Sequence, residues 1–431
     1  MAMPSLRRVV SFVGIALSLT ACHRQGAIDH PVSAPAANVA IYDGLVSLDP
    51  TEGRIKGTWN VRLSRADSVA FLLNASLSIS AVTGRDVLRF TSSTDRDLQT
   101  IVVYLAPRAN AKEADVRIVY DGRFVATDDG MNQLTAPWIE LGIDSFWFPV
   151  VADLARDVLG RVQLVLPRGY RVAASGDLQQ RDDTTIITNT RPLPDFAFVA
   201  SSALNTSEVQ HARTHYTSAP VSVRERISST TTRCVDYLNA RYGQRVAITT
   251  ADVVLAPRTG PGYARQRYVV IPIGAPASSS SETTDSRLRF ICHEFAHFWS
   301  NGAAVAGQDN WLNEGFAEFV AGRAVRTLEG EAAWDLVLAS WRTGATSGAR
   351  AAGPLIVWTP SSTTRPSFAA SYRKAPALLS ELESRIGSAR METLLTRYMT
   401  EPLRTTQRVL DMIDTEAGAE HGRWFRDALG R

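Results

Sequence analysis

Net charge is what this sequence has least of: 46 basic residues stand against 43 acidic ones, a balance of +3 over 431 residues. So small an excess gives no electrostatic reason to expect a nucleic-acid partner. Lysine is nearly absent. Only Lys56, Lys112 and Lys374 occur, so arginine carries the positive charge, a bias that reads as genome composition rather than as a binding surface. Long apolar runs are missing except at the extreme N-terminus, which excludes a chain that crosses a membrane many times. Cysteine is scarce, with three in the whole chain, and that makes the position of each one informative. What is present points to folded domains. Hydrophobic residues make up 45% and aromatic residues 8%, which excludes long-range disorder. At about 150 residues per domain, the length leaves room for some three cores. No internal repeat is apparent.

The first 22 residues read as an address. Arg7 and Arg8 form a positive segment, an apolar run follows from Val9 to Leu19, and small residues lead to Cys22. The run is too short to span a bilayer and has the flanks of a secretory signal. Leu19-Thr20-Ala21-Cys22 resembles the lipobox of bacterial lipoproteins, in which the cysteine is lipidated after cleavage. That resemblance implies a signal peptide over 1–21 and a lipid anchor at Cys22. It also implies a place in the bacterial cell envelope, at the outer membrane facing the periplasm, since His23 rather than Asp follows. An ordinary cleaved signal is the other reading. Residues 22–39, rich in Ala, Pro and Ser, read as a tether. Cys234 and Cys292 remain; whether they pair is open at this level. Cys292 stands about 100° around a helix from His293, away from a ligand position.

From 40 to 205 the pattern is β-rich. Runs such as 55–63, 98–105, 116–120 and 162–166 have strand length and β-branched content, and Gly, Asp and Pro clusters separate them. A mostly antiparallel saddle or sandwich is expected, with no catalytic cluster of its own. After Pro220 the period changes. A helix of about twenty residues is expected to end near Gly243, followed by strands over 246–255 and 268–273. Further helices are expected from Asp285, from Asn310 and onward to the C-terminus. The overall class is α+β and multidomain.

Within the Asp285 helix lies His293-Glu294-Phe295-Ala296-His297. Residues i and i+4 share a helix face, so two imidazoles can reach one tetrahedral zinc. Glu294 falls beside the metal but off the ligand axis, where a carboxylate can hold and deprotonate a water. Zinc with two histidines needs a third protein ligand. Sixteen residues intervene between His297 and Glu314, which lies on the next helix and is the candidate. Glu318, four residues on, shares its face and either orients an imaginable ligating imidazole or is an ordinary solvated carboxylate. His211 and His215 are also four apart, but in a segment read as loop with no third ligand, and carry no second metal site.

HEFAHFW followed by WLNEGFAEF resembles the aminopeptidase N-like gluzincins, a branch of the thermolysin-like zinc peptidases. The resemblance implies an N-terminal β domain (40–205), a thermolysin-like α/β zinc domain (206–345) and a C-terminal helical segment (346–431). It implies one Zn²⁺ held by His293, His297 and Glu314, with Glu294 as general base and a peptide or protein as substrate. Ser371-Tyr372-Arg373-Lys374 is similar to the family segment whose tyrosine donates to the oxyanion, so Tyr372 is the candidate for that role; the other reading is a half-buried helix tyrosine. The loop between His297 and Glu314 is two residues shorter than usual in the family. About 110 residues follow the zinc core, where long members carry a large helical domain, so a more open cleft is expected.

One departure bears on specificity. Exo-acting members carry a glutamate that binds the substrate's α-amine on the strand before the zinc helix. Here Gly262-Tyr263-Ala264-Arg265-Gln266 places Arg265 there, and a guanidinium repels an ammonium by about 1 kcal/mol or more. Glu140, before Phe148-Pro149, is the candidate to replace it. The expectation is therefore a zinc metallopeptidase of the envelope without the usual amine-recognition motif. The alternatives are an aminopeptidase using Glu140 and a non-catalytic peptide-binding lipoprotein.

Overall fold

The computed structural model describes residues 39–431 apart from 108–111, 127–129, 153–156, 182, 275–283, 301–302, 304–306, 347–352, 359–365 and 402. The signal, the tether and Cys22 lie outside the described residues. Among the described helices, none is long and apolar enough to cross a membrane.

The β-rich half forms three sheets. The largest has seven strands, in spatial order Asp177–Arg181, Thr184–Leu193, Asp157–Val165, Val39–Asp49, Arg54–Ser64, Glu113–Arg123 and Leu77–Thr83. Its pairs are antiparallel except Val39–Asp49 with Asp157–Val165, which run parallel. The sequence alternation is realised directly: Val39–Asp49 buries every second residue, so one face meets the core and one meets water. The core face gathers aromatic rings. Trp59 touches Tyr42, Trp147, Phe148 and Phe196 at centroid distances of 5.4–5.9 Å. Each such pair is worth about 0.5–1.5 kcal/mol beyond its buried area. Gly44 lies opposite Trp59 in the register, and a side chain there would overlap the indole. Trp59 Nε1 donates to the Tyr120 hydroxyl (3.1 Å), which donates to the Trp147 carbonyl (2.6 Å). The Trp59 indole is therefore satisfied, whereas the buried Trp147 Nε1 has no hydrogen-bond acceptor.

The second half begins with a five-stranded sheet. Ala212–Tyr216, Ala251–Ala256 and Tyr268–Pro272 are parallel; Asn205–Val209 and Tyr263–Arg265 close its edges antiparallel. Helices follow: α1 (Val221–Tyr242), α2 (Thr284–Ala296), α3 (Asn310–Glu329), α4 (Glu331–Thr346), then a π-helical turn Ala370–Lys374 that runs into α5 (Ala375–Ile386), α6 (Ser388–Thr400), α7 (Thr406–Ala417) and α8 (Ala419–Gly430). One hydrophobic core runs from Ala219 to Leu429, straight across the boundary expected at 345/346. The last helices are thus part of the zinc domain's core rather than a separate segment. His215 lies on a strand, not in the loop expected for it. Its ring bonds Asp252 (2.9 Å) and Thr206 (3.0 Å), while His211 faces Thr249 and Asp236, so the two do not converge.

The two halves meet through a third core cluster, in which Trp138, Ala173 and Val199 pack on Val254, Tyr263 and Tyr268. Cys234 on α1 and Cys292 on α2 form a disulfide with Cα atoms 5.5 Å apart. The pairing that the sequence left open is thereby closed, one residue before His293.

Candidate metal centre

Three elements supply the candidate ligands. His293 lies on α2, His297 follows its last helical residue in a tightening turn, and Glu314 begins the second turn of α3. Amides 298 to 300 bond carbonyls 295 and 296, which keeps His297 on the face of His293. The rings stand edge to face, 4.8 Å between centroids, with Nε2 atoms 3.2 Å apart. Glu314 Oε2 is 3.5 Å from one Nε2 and 3.4 Å from the other. Ligands about 2.0–2.1 Å from a tetrahedral zinc stand about 3.3 Å from each other. The observed triangle therefore has the edge lengths of three corners of such a site.

The electrostatics agree with a cation at that point. Glu314 is fully buried, and neither of its oxygens receives a hydrogen bond. A buried carboxylate without donors is costly unless a positive charge meets it. Burial pushes its carboxyl up, yet the two imidazoles beside it outweigh that and hold it well below the ordinary range. Among the described residues, these three form the group able to hold a metal ion. Two nitrogens and one carboxylate, with one corner left open, suit a catalytic zinc site.

The N-terminal end of α3 is clamped by the chain around it. Asn313 Nδ2 donates to the Ala303 carbonyl (3.0 Å) and its Oδ1 accepts from the Ala303 amide (3.2 Å), fixing part of the shortened loop. Tyr398 on α6 donates to the Leu312 carbonyl (2.8 Å). Thr406 on α7 donates from its amide (2.8 Å) and hydroxyl (2.6 Å) to Asp309, and Trp311 Nε1 donates to that hydroxyl (3.0 Å). The C-terminal helices thus set the position from which Glu314 projects.

Glu318 is 5% exposed, which removes the solvated reading. Its Oε2 accepts from His293 Nδ1 (3.0 Å), so the other ring nitrogen, Nε2, is directed toward Glu314 and His297. Burial pushes the Glu318 carboxyl up, but the His293 hydrogen bond and the Arg289 charge bring it down to about 2. Tyr372 sits in the π-helical turn and stacks on His293, centroids 5.6 Å apart at 25°. Phe368 stacks on its other face at 4.5 Å. Gly315, beside Glu314, lets this turn approach: a methyl there would stand 2.7 Å from Ala375 Cβ. Glu294 is buried on α2 next to His293.

Glu140 and Arg265 are elsewhere in kind. Glu140 is 1% exposed and both its oxygens are taken by Arg258, at 2.7 and 2.8 Å, with Trp138 Nε1 donating at 3.0 Å. Arg265 is buried on the edge strand, its Nε and Nη2 on Asp195 at 2.9 and 3.1 Å and its Nη1 on the Ala264 carbonyl at 2.8 Å. Each is half of an ion pair that ties the β domain to the zinc domain. The substrate-binding roles considered for them are corrected to structural ones, because a saturated, desolvated ion has no charge to spare for a ligand. Sequence reasoning missed Arg258, Asp195, Trp341, Arg289 and Arg373.

Comparison with known proteins places this geometry. Residues 260–420 match the Peptidase family M1 domain. Two proteins of Encephalitozoon cuniculi, described as probable M1 family aminopeptidases 2 and 1, are each 26% identical over 117 residues, which is 24% of this chain and only 13% of theirs. An M1 zinc metallopeptidase from Deinococcus radiodurans has a similar fold, with a TM-score of 0.69 at 20% identity over 91% of this chain and 94% of that one. Leukotriene A4 hydrolase from Saccharomyces cerevisiae gives 0.70 at 14% identity, over 93% of this chain and 69% of that one. The chain thus has the fold of the M1 zinc metallopeptidases, and its residues 260–420 match the peptidase family M1 domain.

Proposed function

We propose that this protein is a zinc-dependent metallopeptidase that hydrolyses peptide bonds in the bacterial cell envelope, without reading the substrate's α-amine through the usual acidic residue. The observation that carries the reading is the triangle of His293, His297 and Glu314, closed around a buried carboxylate that lacks any other donor. Zinc held by His293, His297 and Glu314 would polarise a scissile carbonyl and lower the pKa of an adjacent water. Glu294 takes that water's proton on its carboxylate and delivers it to the leaving amine. The Tyr372 hydroxyl donates to the oxyanion as it develops, while stacking on His293 keeps the ring over the site. A Deinococcus radiodurans relative, in mutant form, is described as bound to a Tyr-Ser-Ala substrate, which supports a peptide as the ligand class. The envelope location and lipidation at Cys22 rest on the pattern of residues 1–22.

The buried pairs Glu140–Arg258 and Arg265–Asp195 favour a peptidase that does not require a free N-terminus. The aminopeptidase alternative is supported by the two relatives described as probable M1 family aminopeptidases, but the Glu140 it relies on is committed to Arg258; the non-catalytic binder has no observation in its favour. The test is a set of matched peptides with free and N-acetylated ends, given to purified protein with its zinc measured. Cleavage of both series with about one zinc per chain is expected. Cleavage confined to free amines would return the aminopeptidase reading. Bound zinc with no cleavage across a broad peptide library would leave a binding protein.

A further inference from the structure

We infer that Trp341 is a positioning residue of the metal centre, acting on His293 through Glu318; the inference rests on the zinc-peptidase reading above. A carboxylate that orients a ligating imidazole has two oxygens, and the one aimed at the ring is fixed only if the other is held. Here the second oxygen is held from several sides. Trp341 Nε1 on α4 donates to Glu318 Oε1 at 2.8 Å, and Arg289 and Arg373 bring guanidinium nitrogens within 3.5 and 3.7 Å of the same atom. Oε2 is left for His293 Nδ1. The indole N–H is the one donor in this set that cannot turn to water, because Trp341 is fully buried while Arg289 and Arg373 are partly exposed.

The indole is locked in place by the helix that carries the ligand. Gly322 lies four residues beyond Glu318 and eight beyond Glu314, and a side chain there would overlap the Trp341 ring and press on Trp334. One face of α3 thus reads ligand, orienting carboxylate and slot for the indole, at four-residue steps. Trp334 offers the internal control. It packs against Trp341 at 5.4 Å in the same cluster and touches the same glycine, yet its hydrogen-bonding edge is not on Glu318. Arg373 neighbours Tyr372 on the π-helical turn, so the same carboxylate also joins the segment that bears the oxyanion donor.

The experiment is a cobalt(II) titration of the metal-free full chain, reading affinity by competition with a chelator and site geometry from the visible absorption band. Outer partners of metal ligands typically contribute ten- to hundredfold to metal affinity. Trp341→Phe is expected to weaken cobalt binding at least tenfold and to shift the band, whereas Trp334→Phe stays within twofold of wild type with an unchanged band. Glu318→Gln is the second variant, since it replaces one of the two accepting oxygens by an NH2 donor, leaving an acceptor for the indole or the imidazole but not at both positions. It is expected to weaken binding by itself, and Trp341→Phe is expected to add nothing on that background. Wild-type affinity and spectrum in Trp341→Phe would overturn the inference alone, as would a full Trp341→Phe effect persisting in the Glu318→Gln protein. Wild-type protein that takes up no metal would overturn the peptidase reading and this inference together.

Discussion

Replacing Arg265 by methionine removes a guanidinium that is 1% exposed from a carboxylate that is fully buried. Asp195 loses two of three donors and keeps only the Ile143 amide at 2.7 Å. Breaking a buried pair by removing one partner costs about 3–5 kcal/mol, because the survivor is an uncompensated charge. Against a total stability of about 5–15 kcal/mol, that is a large share. The methionine stem replaces most of the lost volume, so the cavity contribution is small beside the charge. Urea unfolding of the metal-free protein, followed by tryptophan fluorescence, measures the loss without a contribution from bound metal. Arg265→Met with Asp195→Asn is expected to recover a good part of it, since the buried charge is gone and the Ile143 amide still has an acceptor. The free-to-acetylated cleavage ratio should not move in either variant, because Arg265 holds the domains together rather than facing the substrate. A loss below about 0.5 kcal/mol would show that the pair is not desolvated as described. A swing toward free-amine peptides in Arg265→Met would refute the structural role itself.

Glu294→Gln is expected to lower kcat by about 10²–10⁴-fold with zinc still bound at one per chain; loss of zinc in parallel would mean that Glu294 holds the site rather than transfers protons. The Cys234–Cys292 bridge spans 58 residues, and chain entropy for a loop of that size gives about 4 kcal/mol. Replacing both cysteines by serine should lower unfolding free energy by up to that amount under non-reducing conditions, and equal stability would remove the bridge from the account. The third concerns pH. The Glu318 carboxyl sits at about 2 in the folded protein against an ordinary 4.5. A depressed carboxyl contributes stability that is present above pH 4.5 and is lost as pH falls toward 2, by about 3 kcal/mol in the metal-free protein. Urea midpoints at pH 6, 4 and 3 should therefore fall more steeply in wild type than in Glu318→Gln. Parallel curves would sink the assignment.

Legibility followed locality. The helix of HEFAH and the start at Asn310 were readable because apolar period and spacing are written in consecutive residues, and the three ligands came with them. The partners of Glu140 and Arg265 were not, since they lie 118 and 70 residues away and only the folded contact reveals them. Arg265 looked like a charge facing substrate for the same reason: a sequence shows which ion stands at a position, not which counter-ion has already neutralised it. His215 was read as loop because the run around it lacks apolar alternation, yet a parallel neighbour on one side and an antiparallel one on the other bury it as a strand. Trp341 is part of the core. Its second use, through one N–H, depends on a glycine two turns along a different helix.

The same distinction explains how a helix as buried as α3 can carry two glutamates. Fifteen of its twenty residues are buried, including Glu314 and Glu318, so each carboxylate faces a desolvation cost of several kcal/mol. Glu318 meets that cost inside the chain, with an indole, an imidazole and two guanidinium groups. Glu314 does not: its oxygens have no donor, and the helix end that bears it is instead fixed from outside by Asp309, Thr406 and Tyr398. Folding energy from the apolar core therefore holds one carboxylate in an unfavourable place, beside the Nε2 atoms of two imidazoles. An arrangement of that kind favours whatever divalent cation enters, because metal binding relieves a cost already met by the fold. The rigid, fully satisfied carboxylate and the rigid, unsatisfied one do different work at a four-residue spacing: the first fixes the direction of His293, and the second makes the point they share attractive to zinc.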